Sequence, residues 1–376
     1  MVLSVVGCAD SGRDSGTDAA APAVTSSPSA TAPGASASPA APPAPPAPPA
    51  PPAGGALDTG PPQVLTTGLE APWGLAFLPG GDALVSERDT ARVLRVPAAG
   101  GQPRVVTTLA GVAPRGEGGL LGLAVSPSFA TDSLVFAYYT SRADNRIVRF
   151  RLDRPTEVTE VLTGIPSSSI HNGGRLAFGP DGMLYAGTGD SGNTALSQDT
   201  GSLGGKVLRM TPDGKPVEPG GSLVFSRGHR NVQGLAFDDA GRAYSVEFGQ
   251  NRFDEVNQIS AGSNGGWPDV EGAGDGGGRF LAPITTWRTS ESSPSGGAFV
   301  GGSLWVAALR GQRLWRVPLD GRGGAGAPEA LYTGEFGRLR TAERAPDGSL
   351  WAMTSNRDGR GDPAREDDRI LRLAVK

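Results

Sequence analysis

The chain has 376 residues with 58 glycines, 33 prolines, a single cysteine and a net charge of −4, a length that suits one large β domain or two average ones. So small a net charge excludes the basic footprint of a nucleic-acid-binding surface, and one cysteine excludes a disulfide scaffold or a Cys-rich metal centre. No run of 18 apolar residues offers a membrane-spanning helix.

In chain order, residues 1–8 end in Val5-Val6-Gly7-Cys8, which resembles a bacterial lipobox and reads as a partial lipoprotein signal. The expectation is that Cys8 is lipidated and that the protein is extracytoplasmic, either a cell-surface lipoprotein or secreted, touching the membrane through a lipid anchor only. Residues 9–62 hold 14 of the prolines, in runs such as Pro42-Pro43-Ala44-Pro45-Pro46. They cannot bury enough apolar surface to fold and read as a disordered Ala/Pro/Ser-rich tether, extended at roughly 3.1 Å per residue. Residues 63–376 keep 51 of the glycines and form the folded body.

That body repeats six times. Residues 74–85, 122–125 with 134–139, 175–186, 234–245, 297–299 with 304–307, and 341–352 share one pattern: an apolar strand, a Pro/Asp/Gly turn and a second apolar strand. A third strand with basic alternation follows at 92–96, 146–150, 206–210, 313–317 and 369–373. Period-2 alternation is the mark of a strand with one buried face, and Asp-Gly between apolar runs is a hairpin signal. No segment sustains a 3.6-residue period. Six copies of a several-stranded unit predict an all-β protein, a six-bladed β-propeller over 63–376.

In such a blade the first strand lines the central channel and the second runs back antiparallel. Residues before strand one and after strand two therefore meet at one mouth. Before strand one stand Trp73, Glu117, His171, Asn172, Arg230, Asn231, Arg338 and Arg340. After strand two stand Glu87, Arg88, Tyr139, Asp190, Phe248, Gly249, Arg310 and Asn356. Arginines in bidentate geometry are partners for carboxylates and phosphates, and a histidine beside a carboxylate is suited to proton transfer. The predicted mouth fits a polyanionic ligand together with a proton-transfer group.

The same residues carry a resemblance. Gly116-Glu-Gly-Gly-Leu-Leu-Gly122, His171-Asn-Gly-Gly-Arg-Leu176, Gly187-Thr-Gly-Asp190, Gly228-His-Arg-Asn-Val-Gln-Gly234, Glu247-Phe-Gly-Gln250, Asp254-Glu-Val-Asn257, Asn264-Gly-Gly-Trp-Pro268 and Arg338-Leu-Arg340 follow the order found in the soluble glucose/sorbosone (aldose sugar) dehydrogenases. These are six-bladed propellers that use pyrroloquinoline quinone (PQQ). The resemblance covers nearly all of the folded body and none of the first 62 residues. It implies oxidation of an aldose at C1 to the lactone, with hydride passing to PQQ and electrons to an external acceptor. It implies His171 as general base, Asp190 as its orienting partner and Arg230 as the group polarising the quinone carbonyl. Glu117, Asn231, Arg310, Arg338 and Arg340 would surround the cofactor, although the family often has Gln at the first of these positions and Lys at the third.

By the same resemblance one Ca2+ would be held on the cofactor by backbone oxygens of Gly249 and Gln250, and a second by Glu255, Gly265 and Glu271. Gln250 stands where Pro is frequent and Gly265 where Tyr is frequent. Trp287 would wall the sugar site. The chain would act as a monomer or homodimer. The competing expectation is a non-catalytic cell-surface propeller that binds a glycan or a protein. Retention of His171, Asp190 and the arginine set separates the two, because a binding module has no need of all of them.

Overall fold

A computed structural model describes residues 55–376, so Cys8 and residues 9–54 of the expected tether lie outside the described residues. The described chain forms six sheets. In blade order their inner strands are Pro72–Phe77, Leu120–Val125, Leu176–Phe178, Val232–Phe237, Pro294–Val300 and Leu339–Arg344, and each pairs antiparallel with the next strand of its own blade. Each inner strand packs against the inner strands of both neighbouring blades, which closes the ring. This is the six-bladed β-propeller expected from the repeats. The only helical pieces among the described residues are single turns at Phe129–Asp132 and Thr194–Ser197.

The repeated turn chemistry has a local cause. In four blades the hairpin between the first two strands closes with a glycine N–H donating to the carbonyl three residues earlier, at Gly81, Gly182, Gly241 and Gly348. Their φ angles are 89°, 74°, 78° and 83°, a left-handed region that glycine enters without the Cβ penalty. The third strands show why their basic residues alternate. In Asn145–Arg151, Ile147, Val148 and Phe150 are buried while Arg146, Arg149 and Arg151 face outward to Asp144, Asp213 and Asp153.

Among the described residues there is no single core. Six apolar clusters fill the six gaps between neighbouring blades, for example Phe136, Tyr138 and Ile147 against Leu184 and Leu208, or Trp305 and Leu314 against Leu350 and Leu371. Alternation along each strand sends one set of side chains into each flanking gap. Along the inner strands the buried polar residues Arg175, Gln233, Ser295, Arg340 and Thr341 bond to one another across blades.

The ring closes by joining its ends. Strand Gln63–Thr66 adds to Ile370–Leu373 as the outer strand of the sixth blade, with Gln63 opposite Arg372 and Val64 opposite Leu371. The ordered body begins earlier than composition indicated. Leu57 is 5% exposed and bridges to Val375, Asp58 N–H donates to the Ala374 carbonyl, and the Tyr332 hydroxyl donates to the Gly60 carbonyl at 2.8 Å. The boundary at 62 is therefore corrected: residues 55–62 are tied down by the C-terminal strand, a partner that composition does not reveal. A chain starting at residue 68 loses this closure, with Leu57 and Leu65 buried in it. It should be less stable than a chain starting at 55 by at least about 3 kcal/mol, measured by denaturant titration.

Candidate functional site

The channel mouth is built on a strained residue. His171 has φ of +51°, a conformation that costs a non-glycine residue on the order of 1 kcal/mol or more. Two contacts hold it there. Its backbone N–H donates to Glu117 Oε2 at 2.9 Å, and its carbonyl accepts from Ser191 N–H. Gly189 packs so closely beneath that a Cβ there would overlap the His171 carbonyl. The result aims the imidazole Nδ1 at Asp190 Oδ1, 2.6 Å away. Asp190 is fully buried. Its Oδ1 also accepts from Gly192 N–H at 2.8 Å, and its Oδ2 accepts from the Trp267 indole N–H at 2.9 Å. Burial works to raise this carboxyl, but the bonds from His171, Gly192 and Trp267 outweigh it and hold it below the usual carboxylate range.

Arg230 adjoins the pair. Its guanidinium lies 5.7 Å from the centroid of the Trp267 ring. Its Nε donates to Gln250 Oε1 at 2.8 Å, and Nη2 donates to the same oxygen. Its backbone N–H donates to Glu247 Oε2. Burial depresses the guanidinium, and Asp190, Glu117, Glu271 and Glu247 oppose that. His229 serves this support rather than the mouth. It is fully buried, with Nδ1 on Glu247 Oε1 at 2.8 Å and Nε2 on Ser226 Oγ at 2.7 Å.

Across the mouth, the sixth blade supplies a cationic cluster. Arg338 and Arg340 both reach Asp358 Oδ2, at 2.9 and 3.3 Å, and Arg88 donates to the Asp358 carbonyl. Arg340 also donates to Gln233 Oε1 on the fourth blade at 2.9 Å. Burial works hard against the Arg340 charge. Asp358 supports it, and Arg88 and Arg338 add repulsion. A guanidinium does not give up its proton at neutral pH, so the cluster keeps an excess of positive charge. At the mouth, buried side-chain groups without a partner among the described residues include Arg340 Nε in this cluster and, on the His171 side, Asn231 Nδ2 and Ser191 Oγ. Unsatisfied buried donors of this kind mark a place where a ligand's acceptors fit. A planar polycarboxylate with ring carbonyls, which is what PQQ is, matches this donor set.

A second feature lies below Arg230. A cavity of about 10 Å³, room for roughly one water-sized particle, is lined by Glu247, Gly249, Glu255, Gly265, Glu271 and Trp267 among others. Burial, with Glu247 next, pushes the Glu255 carboxyl up to about 8. An oxygen-lined cavity with a destabilised carboxylate fits a hard cation. Most of these oxygens already have donors, however. Glu271 Oε1 accepts from the backbone N–H groups of Gln250, Asn251, Arg252 and Phe253. Among the described residues no group of three or more His, Cys, Asp or Glu side chains is arranged to hold a metal.

The structure thus brings together His171, Asp190, Arg230, Asn231, Glu117, Arg338 and Arg340, and places Gly249, Gln250, Glu255, Gly265 and Glu271 beside them. Glu117 is spoken for by the His171 backbone and by Arg360 Nη1 at 3.1 Å. Arg310 stands exposed on the turn after the second strand of the fifth blade. Trp287 is a correction. It lies on the outer strand Thr285–Arg288, 5% exposed, stacked on Trp315 at 5.3 Å in the gap between the fourth and fifth blades. Strand alternation turns it into the core and away from His171. Trp267, within the Asn264–Pro268 motif, is the aromatic that bonds the proton-transfer pair, through Asp190 Oδ2. Gln233 and Asp358 were also missed: Arg340 reaches Gln233 only across the closed ring, and Asp358 lies in a connection after the second strand of its own blade, where the repeat gives no offset.

Comparison with known proteins adds to this geometry. The family model described as Glucose / Sorbosone dehydrogenase matches residues 69–371. A solved PQQ-bound aldose sugar dehydrogenase from Streptomyces coelicolor is 54% identical, covers 87% of this chain and all of its own, and superposes with a TM-score of 0.81. A putative oxidoreductase (glucose dehydrogenase) from Thermus thermophilus is 43% identical over 85% of this chain and all of its own, with a TM-score of 0.78. Quinoprotein glucose dehydrogenase B of Acinetobacter calcoaceticus is 30% identical over 254 residues, which is 57% of this chain and 53% of that protein, so the match spans about half of that relative.

The Asp358 cluster gives a direct test. Asp358→Asn leaves Arg338 and Arg340 buried without their carboxylate and should cost about 3–5 kcal/mol, read from denaturant midpoints at pH 7. Burial works to raise the Asp358 carboxyl, and Arg340 and Arg338 together pull it below its ordinary value. Its contribution is therefore present above the ordinary carboxylate range and lost as pH falls through the lower folded value. The gap between variant and parent should narrow in acid.

Proposed function

Because the chain belongs to the glucose/sorbosone dehydrogenase family, oxidoreductases acting on sugar CH–OH groups, we propose that it oxidises aldoses at C1 to lactones with PQQ and calcium bound at this mouth. The observation that carries the reading is the convergence of the His171–Asp190 pair with a cationic cluster at one mouth, where Arg340 Nε and, beside the pair, Asn231 Nδ2 have no protein partner. When bound, PQQ supplies a quinone that accepts the hydride leaving the sugar's C1, and calcium supplies Lewis-acid polarisation of that quinone.

The chain's own residues do the rest. With Nδ1 committed to Asp190, Nε2 is the His171 nitrogen left to take the proton from the anomeric hydroxyl. Asp190 fixes the tautomer and stabilises the imidazolium as it forms, and its own bonds to Gly192 and Trp267 keep it ionised to do so. Arg230 places a positive charge next to the pair, where negative charge develops during the transfer. Asn231, Arg338 and Arg340 would hold the cofactor's carboxylates and ring oxygens, and Arg310, exposed on its turn, would add a further positive charge. The carbonyls of Gly249 and Gln250 would hold the cofactor's calcium. A second calcium beside Glu255, Gly265 and Glu271 would have to take over oxygens that now accept from backbone N–H groups.

An external acceptor would take the electrons, and the resemblance of Val5-Val6-Gly7-Cys8 to a lipobox supports a place outside the cytoplasm on a lipid anchor. The test is reduction of an artificial dye acceptor by a panel of aldoses, with calcium and PQQ added. Both additions should be required. His171→Gln should lower turnover about 100-fold or more while PQQ binding, followed by absorbance titration, stays close to that of the parent. Unchanged turnover would place the base elsewhere. Absence of both turnover and PQQ binding in the parent chain would favour the glycan- or protein-binding propeller.

A further inference from the structure

We infer that Trp267 is a positioning residue for the proton-transfer pair: its indole N–H takes up Asp190 Oδ2 while its ring face lies against Arg230, so that one side chain governs how much of the carboxylate is left to His171. The inference rests on the proposed roles of His171 and Asp190 and goes beyond them.

Asp190 has no exposed surface, so each of its oxygens depends on donors from the protein. Oδ1 has two, His171 Nδ1 at 2.6 Å and Gly192 N–H at 2.8 Å. Oδ2 has the indole N–H of Trp267 at 2.9 Å. A buried carboxylate oxygen stripped of its donor is costly, and the carboxylate answers by binding its remaining proton donor more strongly. Loss of the indole N–H therefore makes Asp190 a stronger base and strengthens its hold on the charged form of His171. With Trp267 in place, the imidazole is released more readily to the neutral form that accepts a substrate proton at Nε2.

The ring is itself fixed. Trp267 N–H donates to the Gly228 carbonyl at 3.0 Å, and the Trp267 carbonyl accepts from Gln198 Nε2 at 2.7 Å. Gln198 and Asn264 are joined by two reciprocal amide hydrogen bonds, at 3.0 and 2.9 Å. The indole is thus aimed by its own backbone rather than by the pair it serves. On its other side the Arg230 guanidinium lies 5.7 Å from the ring centroid, close enough for a cation–π contact. Arg230 is held independently by Gln250 and the Phe248 carbonyl. The charged groups facing the pair are Glu117 at the His171 backbone, Arg360 behind Glu117, and Arg230 across the indole. None of them contacts Asp190 Oδ2.

The test uses the full chain without cofactor. It has two histidines and six tryptophans, so the imidazole and indole proton resonances can be assigned by single substitutions. Trp267→Phe keeps an aromatic face and removes the N–H. The His171 titration midpoint should rise by about 0.5–1 pH unit, while that of His229, with both ring nitrogens bonded elsewhere, stays in place. The acid limb of kcat/KM for sugar oxidation should move by the same amount in the loaded enzyme. A folded variant whose His171 midpoint is unchanged or lower overturns the inference. Should Trp267→Phe not fold, the parent chain decides: one indole N–H resonance must move in step with His171, and six that stay still through that titration overturn the inference. A chain that shows the shift but oxidises no sugar supports the coupling and rejects the proposed function.

Discussion

Closing six antiparallel sheets into a ring is the constraint on which the rest depends. It delivers the start of every inner strand and the end of every second strand to one end of the channel. Residues far apart in sequence therefore become partners there. Arg340 meets Gln233 across 107 positions, and Arg360 meets Glu117 across 243. A continuous line of contacts runs from Gln250 through Arg230, Trp267, Asp190, His171, Glu117 and Arg360 to Asp358 with its arginines. No two consecutive elements could assemble that line. It exists because strand Gln63–Thr66 joins Ile370–Leu373 and fixes the first blade against the sixth.

Apolar burial is confined to the gaps between blades, which frees the axis for charge. The charges at the mouth do not neutralise one another in full. Arg338 and Arg340 share the single carboxylate of Asp358 while Arg88 pairs with Asp89, and buried donors on Arg340 and Asn231 face nothing in the protein. Such a site lowers the stability of the isolated fold and is stabilised by an anionic occupant. The strain at His171 belongs to the same pattern. A left-handed histidine persists because Glu117, Ser191 and Gly189 surround its backbone, and the cost of that conformation goes into aiming the imidazole.

The pattern of what was legible follows from range. His171, Asp190, Arg230, Asn231, Arg338 and Arg340 could be placed at one mouth because each sits at a fixed offset from a strand with clear alternation. Trp267 could not, since it lies in the connection between the third and fourth strands of the fourth blade, where no period applies. Trp287 misled for the opposite reason: it lies on a regular strand, but which face of an outer strand is buried depends on the neighbouring blade, here through Trp315. Asp358 belongs to the long connection before the third strand of the sixth blade, again outside the repeat.

The sequence by itself determined the all-β class, the number of blades, the turn positions and the end of the channel where chemistry collects. All of these rest on local alternation and on glycines whose φ is set by the turn they occupy. Only the tertiary structure decided which donors satisfy Asp190, which carboxylate the arginines share, which tryptophan reaches the mouth, and that residues 55–62 belong to the folded body. Most of those outcomes depend on contacts between blades, while Asp358 meets Arg338 and Arg340 within the sixth. Burial in a closed ring makes each such contact necessary, because a desolvated charge or donor must find its partner from whichever blade arrives beside it.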